Sequence, residues 1–420
     1  MKIQHIKQFI LEYKTELILT ICLFSNLYSF HIPDSLYYIP LLLMSFYMKR
    51  YHAKTIARTG ITYFLMAIVI LSSIISGHMG IKVMVMAYIF FITLAYSSEE
   101  YYRFKFRFMY ISLIAYSLTS VLNFYAKHAG INFYEGVLIS TWGASTGEFS
   151  GYTCHPMWLS AACGIGTIFF VYAMIVQFKR GNKRATYLLG ATSLASIWIT
   201  MQGGSRSASG ISVLCCLFLI MNAFESATQK KKILIPIILV GLMTIPTMVT
   251  DNAQFARKQG GISLVDENGK SSRSHLWAAR LAEFNSSPIW GIGFGVVGIG
   301  ENATEGRAET GSGWLTVLAQ SGIIGFILVC LIFLKARLPK RDLRTDSTAA
   351  LLEAVMLFLA LHSLFEAYMF QVGWYMCFVF WLLVGILDDY KTYGPVPELE
   401  NSLFGEEEEE YDDESLEFSV

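Results

Sequence analysis

Residues 187–221 read YLLGATSLASIWITMQGGSRSASGISVLCCLFLIM, two apolar runs separated by the polar stretch GGSRSASG at 203–210. Both runs are apolar enough to lie in lipid, so this stretch predicts two membrane helices joined by a short turn. The turn carries one cation, Arg206, among glycines and serines. It is either a plain turn or a positive charge aimed at an anionic ligand.

The composition indicates a membrane protein. Of the 420 residues, 54% are hydrophobic and 15% are charged, whereas soluble domains have about 25% charged residues. The seven cysteines are scattered, without a spacing typical of a metal site or a disulfide framework. Charges interrupt the first apolar stretch, and it lacks a small-residue cleavage site, which favours a first membrane helix over a signal peptide.

We therefore expect an all-α fold, a polytopic transmembrane helical bundle of about 12 spans. A spanning helix needs roughly 20 mainly apolar residues, and segments of this kind recur along the chain. The predicted spans are residues 15–31, 36–48, 61–77, 79–97, 106–124, 157–178, 186–202, 208–224, 233–249, 313–334, 349–366 and 370–388.

The basic residues predict the orientation of these spans. They cluster in the connections that follow even-numbered spans, at 49–58, 103–107, 178–184, 229–232 and 335–344. Connections rich in Lys and Arg mark the cytoplasmic side of a membrane. Both termini are therefore expected in the cytoplasm, and the alternation favours an even number of spans.

This orientation places two long segments outside, residues 125–156 and residues 250–312, the latter between spans nine and ten. The transmembrane domain is expected to cover residues 1–392. Residues 393–420 contain the acidic run EEEEEYDDESLE. They are expected to form a disordered cytoplasmic tail, because a dense charge run cannot bury apolar surface.

Arg206 lies on the external side in this arrangement, at the start of a span. A helix start has free N–H groups and the positive end of the helix dipole, which together favour anions. Arginine also binds phosphate through two parallel hydrogen bonds. The alternative is an interfacial arginine that only ends a hairpin.

A second candidate region is the external stretch SSRSHLWAARLAEFNSSPIWGIGFG at 271–295. Its apolar positions have helical spacing, which predicts an amphipathic helix ending near Asn285, with Pro288 preventing continuation and GIGFG forming a flexible loop. Arg273 and Arg280 are seven residues apart and share a face, as a two-arginine cradle for an anion would require. The alternative is an interface helix whose arginines contact lipid headgroups.

Three further residues are candidates for acid–base chemistry. His362 and Glu366 are four apart near the outer end of span eleven, where polar groups at membrane depth are usually functional. Glu309 lies just outside span ten and is able to accept a proton from a sugar hydroxyl. The alternatives are a hydrogen bond between helices for the first two and a solvated acidic loop for Glu309.

The sequence contains no phosphate-binding loop or zinc-protease motif, and its outer loops contain no compact D-x-D pair suited to metal-dependent glycosyl transfer. We therefore expect a mechanism without a metal or another cofactor. The formal net charge is zero, and no nucleic-acid partner is expected.

The order of these features resembles the O-antigen ligase/polymerase superfamily of bacterial surface-polysaccharide enzymes. Many spans precede a G-S-R turn, and a long external segment then leads into a span that opens with W-L-x-x-L-x-x-x-G-I-I-G. The resemblance covers roughly residues 150–370. Its motifs are Gly204-Ser205-Arg206, Arg273 with Trp277, Pro288 with Gly291 and Gly293, and Trp314-Leu315 through Gly322-Ile323-Ile324-Gly325.

The resemblance implies an enzyme of the bacterial inner membrane that acts on its periplasmic face. Its substrate would be a glycan carried on undecaprenyl diphosphate, with an acceptor glycan or the lipid A core as the second substrate. Membrane lipids and a chain-length regulator are further implied partners. Arg206 and Arg273 match positions that bind the diphosphate, and His155, in GYTCHPMWLSA, matches an H-P-N stretch in which Met157 replaces Asn.

One departure from the family favours a polymerase over a ligase. Ligases usually have a His-Asn pair just before the W-L stretch, and this chain has Gly311 and Ser312 there. Glu309 or His362 would then replace the missing histidine as the general base. A ligase remains the first alternative, and a flippase that transports the same lipid-linked units is the second.

Overall fold

A computed structural model of the chain describes residues 9–28, 34–51, 60–95, 97–133, 149–224, 226, 228, 274–305 and 311–404. The described residues form a bundle of α-helices with one two-stranded antiparallel hairpin. The all-α prediction is confirmed. The predicted ninth span at 233–249, residues 250–273 and 306–310 of the long external segment, and the acidic run at 406–417 lie outside the described residues.

The first half of the described chain contains eight helices. Short 3₁₀ turns at Phe24–Asn26 and Asp34–Tyr37 connect the first two. The helices are α1 (Lys14–Leu23), α2 (Tyr38–Arg50), α3 (Gly60–Ile75), α4 (Ile81–Leu94), α5 (Glu99–His128), α6 (Pro156–Lys179), α7 (Lys183–Gln202) and α8 (Arg206–Ala223).

The second half begins with a helix and the small hairpin and ends with a short helix near the carboxyl terminus. The strands pair Val296 with Glu305 and Val297 with Thr304. The elements are α9 (Ser274–Ser286), β1 (Val296–Val297), β2 (Thr304–Glu305), α10 (Gly313–Ala336), α11 (Lys340–Thr345), α12 (Ser347–His362), α13 (Tyr375–Tyr393) and α14 (Pro397–Phe404).

Four helices in the described part, α5, α6, α8 and α10, are long and apolar enough to cross a membrane. Every predicted span other than 233–249 contains a helix. Several of these helices have only ten to sixteen residues, about 15–24 Å at 1.5 Å per residue against a hydrocarbon core of about 30 Å. The fold is thus compatible with a membrane protein, and the count of 12 spans stays a prediction.

The central helix is α6, which is buried along almost all of its length. Glycines allow its neighbours to approach closely, as small residues do in membrane bundles. A Cβ on Gly164 would lie 2.6 Å from Ser212 Oγ of α8, and one on Gly166 would lie 2.6 Å from the Tyr116 carbonyl oxygen of α5. These contacts fix α5 and α8 on two sides of α6.

The structure corrects the predicted connection at 103–107. Helix α5 begins at Glu99, where the Ser98 hydroxyl accepts a hydrogen bond from the Tyr101 backbone N–H, so residues 103–107 are helical. Lys105 is fully buried, with its Nζ 2.7 Å from Asp389 Oδ2 of α13. A buried charge needs a partner, and Asp389 supplies it.

The expected boundary of the tail at residue 393 is also wrong. Helix α14 covers Pro397–Phe404 and packs on the bundle, with Leu399 fully buried. Glu400 Oε2 accepts hydrogen bonds from the Tyr172 hydroxyl (2.7 Å) and the Thr348 hydroxyl (3.0 Å). The buried Leu399 and the two hydrogen bonds to Glu400 hold this segment against the bundle. The nearby acidic run had led to the expectation of a disordered tail.

Candidate functional site

Four helices begin at the same end of the bundle, and α7 and α12 end there. The Gly313 backbone N–H of α10 donates to the Ser363 carbonyl at the end of α12 (2.7 Å). At the starts of α6 and α13, the rings of Trp158 and Trp374 stack with centroids 5.3 Å apart. The turn before α8 meets the first residue of α6, because a Cβ on Gly203 would lie 2.6 Å from the Pro156 carbonyl oxygen. The starts of α6, α8, α10 and α13 each place a partial positive charge at this end, and the ends of α7 and α12 place partial negative charges there.

Arg206 is the first residue of α8, as predicted. The Ser205 hydroxyl caps the helix by accepting from the Ala208 backbone N–H at 3.2 Å, and Gly204 makes the turn with φ +76°. The Arg206 side chain is half-buried and makes no hydrogen bond or ion pair with the described part of the chain. A guanidinium at a helix start without a protein partner is able to bind an anion. Its role in diphosphate binding stays a prediction.

His155 is the N-cap of α6. Its Nδ1 accepts a hydrogen bond from the Met157 backbone N–H at 3.2 Å, and Pro156 occupies the first helical position. A nitrogen that accepts from an amide carries no proton, so in this arrangement the neutral ring has its proton on Nε2. The structure therefore gives His155 a capping role, and the predicted contact with a diphosphate would have to come from Nε2.

A row of aromatic rings joins His155 to His362. From His155 the ring centroids follow at 6.2 Å to Trp158, 5.3 Å to Trp374, 5.1 Å to Tyr368 and 5.9 Å to His362. The row connects the start of α6 with the end of α12. His155 and His362, both selected from the sequence, thus lie at the two ends of one row of aromatic rings near the helix N-termini.

The structure changes the predicted relation between His362 and Glu366. Helix α12 ends at His362, so Glu366 lies in the turn that follows and not on the next turn of the helix. The His362 ring is fully buried, and its Nδ1 lies 3.2 Å from the Tyr368 hydroxyl. The Glu366 carbonyl accepts from the Gly313 N–H at 3.1 Å. This hydrogen bond attaches the turn to the start of α10 at the point where α12 stops.

Arg280 does not occupy the exposed face that the cradle hypothesis requires. Helix α9 forms where the spacing predicts it, but Arg280 is 4% exposed whereas Leu281 is 45% exposed. Arg280 Nη2 lies 2.5 Å from Glu283 Oε1 one turn later, and the same oxygen accepts from the Gly298 backbone N–H at 2.7 Å. The ion pair with the buried Glu283 holds Arg280 inside the fold. A contact between Arg280 and a diphosphate would therefore require this ion pair to break.

Burial has opposite effects on the two groups of this pair. It raises the pKa of the Glu283 carboxyl and lowers the pKa of the Arg280 guanidinium, since burial disfavours each charged form. In the described part of the chain, Nε and Nη1 of Arg280 and Oε2 of Glu283 have no hydrogen-bond partner. Arg280 keeps its proton at all ordinary pH values, so the titrating member is Glu283.

Helix α9 holds both ends of the segment that contains Glu309. Glu283 binds the backbone N–H of Gly298, and the Trp277 indole N–H donates to the Gly311 carbonyl oxygen at 3.1 Å. Arg273 and Glu309 themselves lie outside the described residues. The two hydrogen bonds place Gly298 and Gly311 beside α9, and Gly311 lies next to the start of α10.

Gly311 and Ser312, which stand where ligases have His-Asn, have structural roles. Gly311 has φ +66°, and a Cβ there would lie 3.0 Å from Leu276 Cδ1 of α9. The Ser312 hydroxyl caps α10 by accepting from the Leu315 backbone N–H at 3.4 Å. These two residues connect α9 to α10, and neither supplies a general base.

The most specific feature of the described structure is a break in α10 at Gly322, where φ is +62° and ψ is −171°. The segment after α9 fills the break. The Pro288 carbonyl accepts from the Ile323 N–H (2.9 Å), and the Ile292 N–H donates to the Ala319 carbonyl (2.9 Å). In an unbroken helix, Ile323 and Ala319 would have bonded to each other. The external segment therefore replaces a helical hydrogen bond inside the bundle.

Serines of α3 complete this arrangement. The Ser72 hydroxyl donates to the Gln320 carbonyl at 2.7 Å, and the Ser73 hydroxyl accepts from the Phe294 backbone N–H at 3.0 Å. Residues 291–295, the GIGFG stretch expected to form a flexible loop, are buried. Backbone that leaves the helix at membrane depth is tolerated only where protein satisfies its polar groups, as these serines do.

The glycines of the P-x-x-G-x-G and G-I-I-G motifs make this crossing possible. A Cβ on Gly291 would lie 2.4 Å from the Gln320 carbonyl carbon, and one on Gly322 would lie 2.2 Å from the Ile289 carbonyl oxygen. The two motifs thus pair with each other through backbone contacts. Sequence reasoning treated them as separate signals and missed that the glycines of both motifs let the two backbones cross.

No protein-family model matches the chain, and no curated protein is significantly similar to it. The resemblance to the O-antigen ligase/polymerase superfamily therefore rests on the order of the motifs alone. Membership of this superfamily is therefore a proposal.

Proposed function

We propose that the chain is an inner-membrane glycosyltransferase that polymerises oligosaccharide repeat units carried on undecaprenyl diphosphate. The site would lie on the periplasmic face, and the product would be an O-antigen, capsule or exopolysaccharide chain. The observation that carries this proposal is the half-buried Arg206, without a partner in the described structure, at an end of the bundle where four helices begin. This combination of charges fits an anionic group such as a diphosphate.

The proposed reaction is a displacement at the anomeric carbon of the lipid-linked glycan. The acceptor hydroxyl forms the new glycosidic bond and loses its proton to a base, and the bond to undecaprenyl diphosphate breaks with its electron pair. Negative charge develops on the leaving diphosphate, and Arg206 with the helix N-termini would stabilise it. One well-placed donor in such a site is worth about 2.7–4 kcal/mol.

Two candidates for the base remain. His362 is within hydrogen-bond distance of Tyr368, but both residues are fully buried, so a sugar hydroxyl would reach His362 only after a local opening. Glu309 belongs to the external segment that α9 tethers at Gly298 and Gly311. Gly311, two residues after Glu309, lies at the start of α10, which favours Glu309 because no buried group would have to open.

The test is polymerisation by purified protein in proteoliposomes that contain a lipid-linked repeat unit. Arg206→Ala should lower the rate of ladder formation by about 10²–10³-fold, as expected for the loss of one transition-state donor, and Arg206→Lys should restore only part of it. Arg184→Ala is the matched control, since Arg184 is exposed at the opposite end of the bundle. Equal rates for Arg206→Ala and Arg184→Ala would refute the role of Arg206.

The broken helix α10 favours a second candidate, a flippase for the same lipid-linked units. Transporters often bind their substrates where helices are discontinuous near the membrane midplane. Under this alternative, loss of the gene would leave the precursor on the cytoplasmic face. A polymerase defect would instead leave single repeat units on lipid A, and a ligase defect would leave lipid A bare with polymer on its carrier.

A further inference from the structure

A cavity of about 800 Å³ lies at the end of the bundle opposite the candidate site. It opens between the last turn of α6, the first turn of α12 and the segment leading into α14. The charge pattern of the sequence assigns this end to the cytoplasm. Its polar lining includes Lys179, Arg180, Ser347, Glu400 and Asn401.

The lining combines both signs of charge within a few residues. Lys179 Nζ donates to the Ser347 hydroxyl at 2.8 Å, and Arg180 Nη2 lies 3.6 Å from Glu400 Oε1. Glu400 and Asp346 are both bound by Thr348, through its hydroxyl at 3.0 Å and its backbone N–H at 2.8 Å respectively. Two cations and two carboxylates therefore surround the same opening.

Both kinds of charge remain accessible in part. Lys179 is exposed, and the Glu400 side chain is 24% exposed although it accepts from two hydroxyls. The start of α12 adds a partial positive charge on the side of Ser347. A purely anionic ligand would meet Glu400 and Asp346, and a purely cationic one would meet Lys179 and Arg180, so neither suits the lining.

We propose that this cavity binds a phosphate–ammonium zwitterion, the chemistry of an aminophospholipid headgroup. Lys179 and the start of α12 would bind the phosphate, and Glu400 with Asn401 would bind the ammonium. The apolar lining from Val176, Val396 and Pro397 suits the glycerol and the first carbons of a lipid. Lys179 is the last residue of α6, and lysines at the ends of membrane helices commonly reach the level of lipid phosphates.

The test uses the full chain in nanodiscs that contain equal amounts of phosphatidylethanolamine and phosphatidylglycerol. Native mass spectrometry of the released protein measures which lipid stays bound. We expect phosphatidylethanolamine to be enriched and Lys179→Ala to weaken its binding about tenfold, the effect of losing one charge-assisted hydrogen bond. Lys183→Ala is the control, because Lys183 is exposed four residues later and does not line the cavity.

A second variant tests the choice of a zwitterion. Glu400→Gln keeps an acceptor for Tyr172 and Thr348 but removes the negative charge, so the protein should fold and its preference should shift to phosphatidylglycerol. Equal retention of the two lipids by the unmodified chain, or unchanged enrichment in both Lys179→Ala and Glu400→Gln, would overturn the proposal. Thermal stabilisation of delipidated protein by glycerophosphoethanolamine, equal to that by the lipid, would assign the same headgroup chemistry to a soluble ligand.

Discussion

Replacement of Gly322 by alanine tests the backbone exchange between α10 and the segment after α9. Gly322 has φ +62° and ψ −171°, a conformation that is essentially restricted to glycine, and holding another residue there costs about 1–3 kcal/mol. The new Cβ would lie 2.2 Å from the Ile289 carbonyl oxygen and 2.4 Å from its carbon. These are backbone atoms, so the two segments must separate.

Separation would break the hydrogen bond from the Ile323 N–H to the Pro288 carbonyl. Ile323 would then bond to Ala319, and the Ile292 N–H would lose its acceptor. An unsatisfied buried N–H costs about 1–3 kcal/mol, so the free energy of unfolding should fall by about 1–3 kcal/mol whether the strain is kept or the segments separate. Gly210→Ala is the matched control, because Gly210 lies within helix α8 and a Cβ there meets nothing within 4 Å. Alanine at a helix position of this kind is stabilising by about 0.5–1 kcal/mol.

The assay is reversible unfolding in mixed micelles, followed by tryptophan fluorescence, with both variants measured beside the unmodified chain. Limited proteolysis between 286 and 298 gives a second readout, because separation of the segments should expose this stretch in Gly322→Ala. If Gly322→Ala and Gly210→Ala had the same unfolding free energy and the same protease resistance, the exchange of hydrogen bonds would be refuted.

Three further variants test other contacts. Burial raises the pKa of Glu283, so its contribution to stability is present below the unfolded pKa and is lost as pH rises through the folded pKa. Glu283→Gln should therefore flatten the dependence of the unfolding free energy on pH in that range. An unchanged slope would contradict this prediction. Leu399→Ala should lower the unfolding free energy by about 2–5 kcal/mol because Leu399 is fully buried, whereas Leu188→Ala, at a position 69% exposed, should have little effect; equal effects would show that α14 does not pack as described. Tyr368→Phe removes the hydroxyl beside His362 Nδ1 and should shift the His362 imidazole resonances in NMR spectra; unchanged resonances would argue against this contact.

The sequence predicts the helices well because their apolar runs and caps are local signals. Arg206 was expected to begin a helix, and α8 begins there with Ser205 as its cap. Helix α9 also lies where the spacing of Leu276, Trp277 and Phe284 predicts it. These predictions depend on residues within a turn or two of one another, which is the range over which periodicity and capping act.

The failures involve partners distant in the chain. Lys105 was assigned to a solvated connection because its partner, Asp389, lies in a helix near the other terminus. Glu400 was assigned to a disordered tail because Tyr172 and Thr348 belong to other helices. For Arg280 the partner was near in sequence, but the inward turn of the pair depends on the Gly298 N–H.

The break in α10 has a consequence for how the protein assembles. The carbonyl of Ala319 and the N–H of Ile323 receive their partners only when residues 288–292 arrive. Those residues precede α10 in the chain and are attached to α9, so α10 inserted alone would first satisfy these groups as a continuous helix. Docking of the segment after α9 divides that helix into two shorter helical segments. One segment is held at the end of α12 through Gly313 and Trp314, and the other begins at the break, so α10 has its final shape only when the segment after α9 is docked against it.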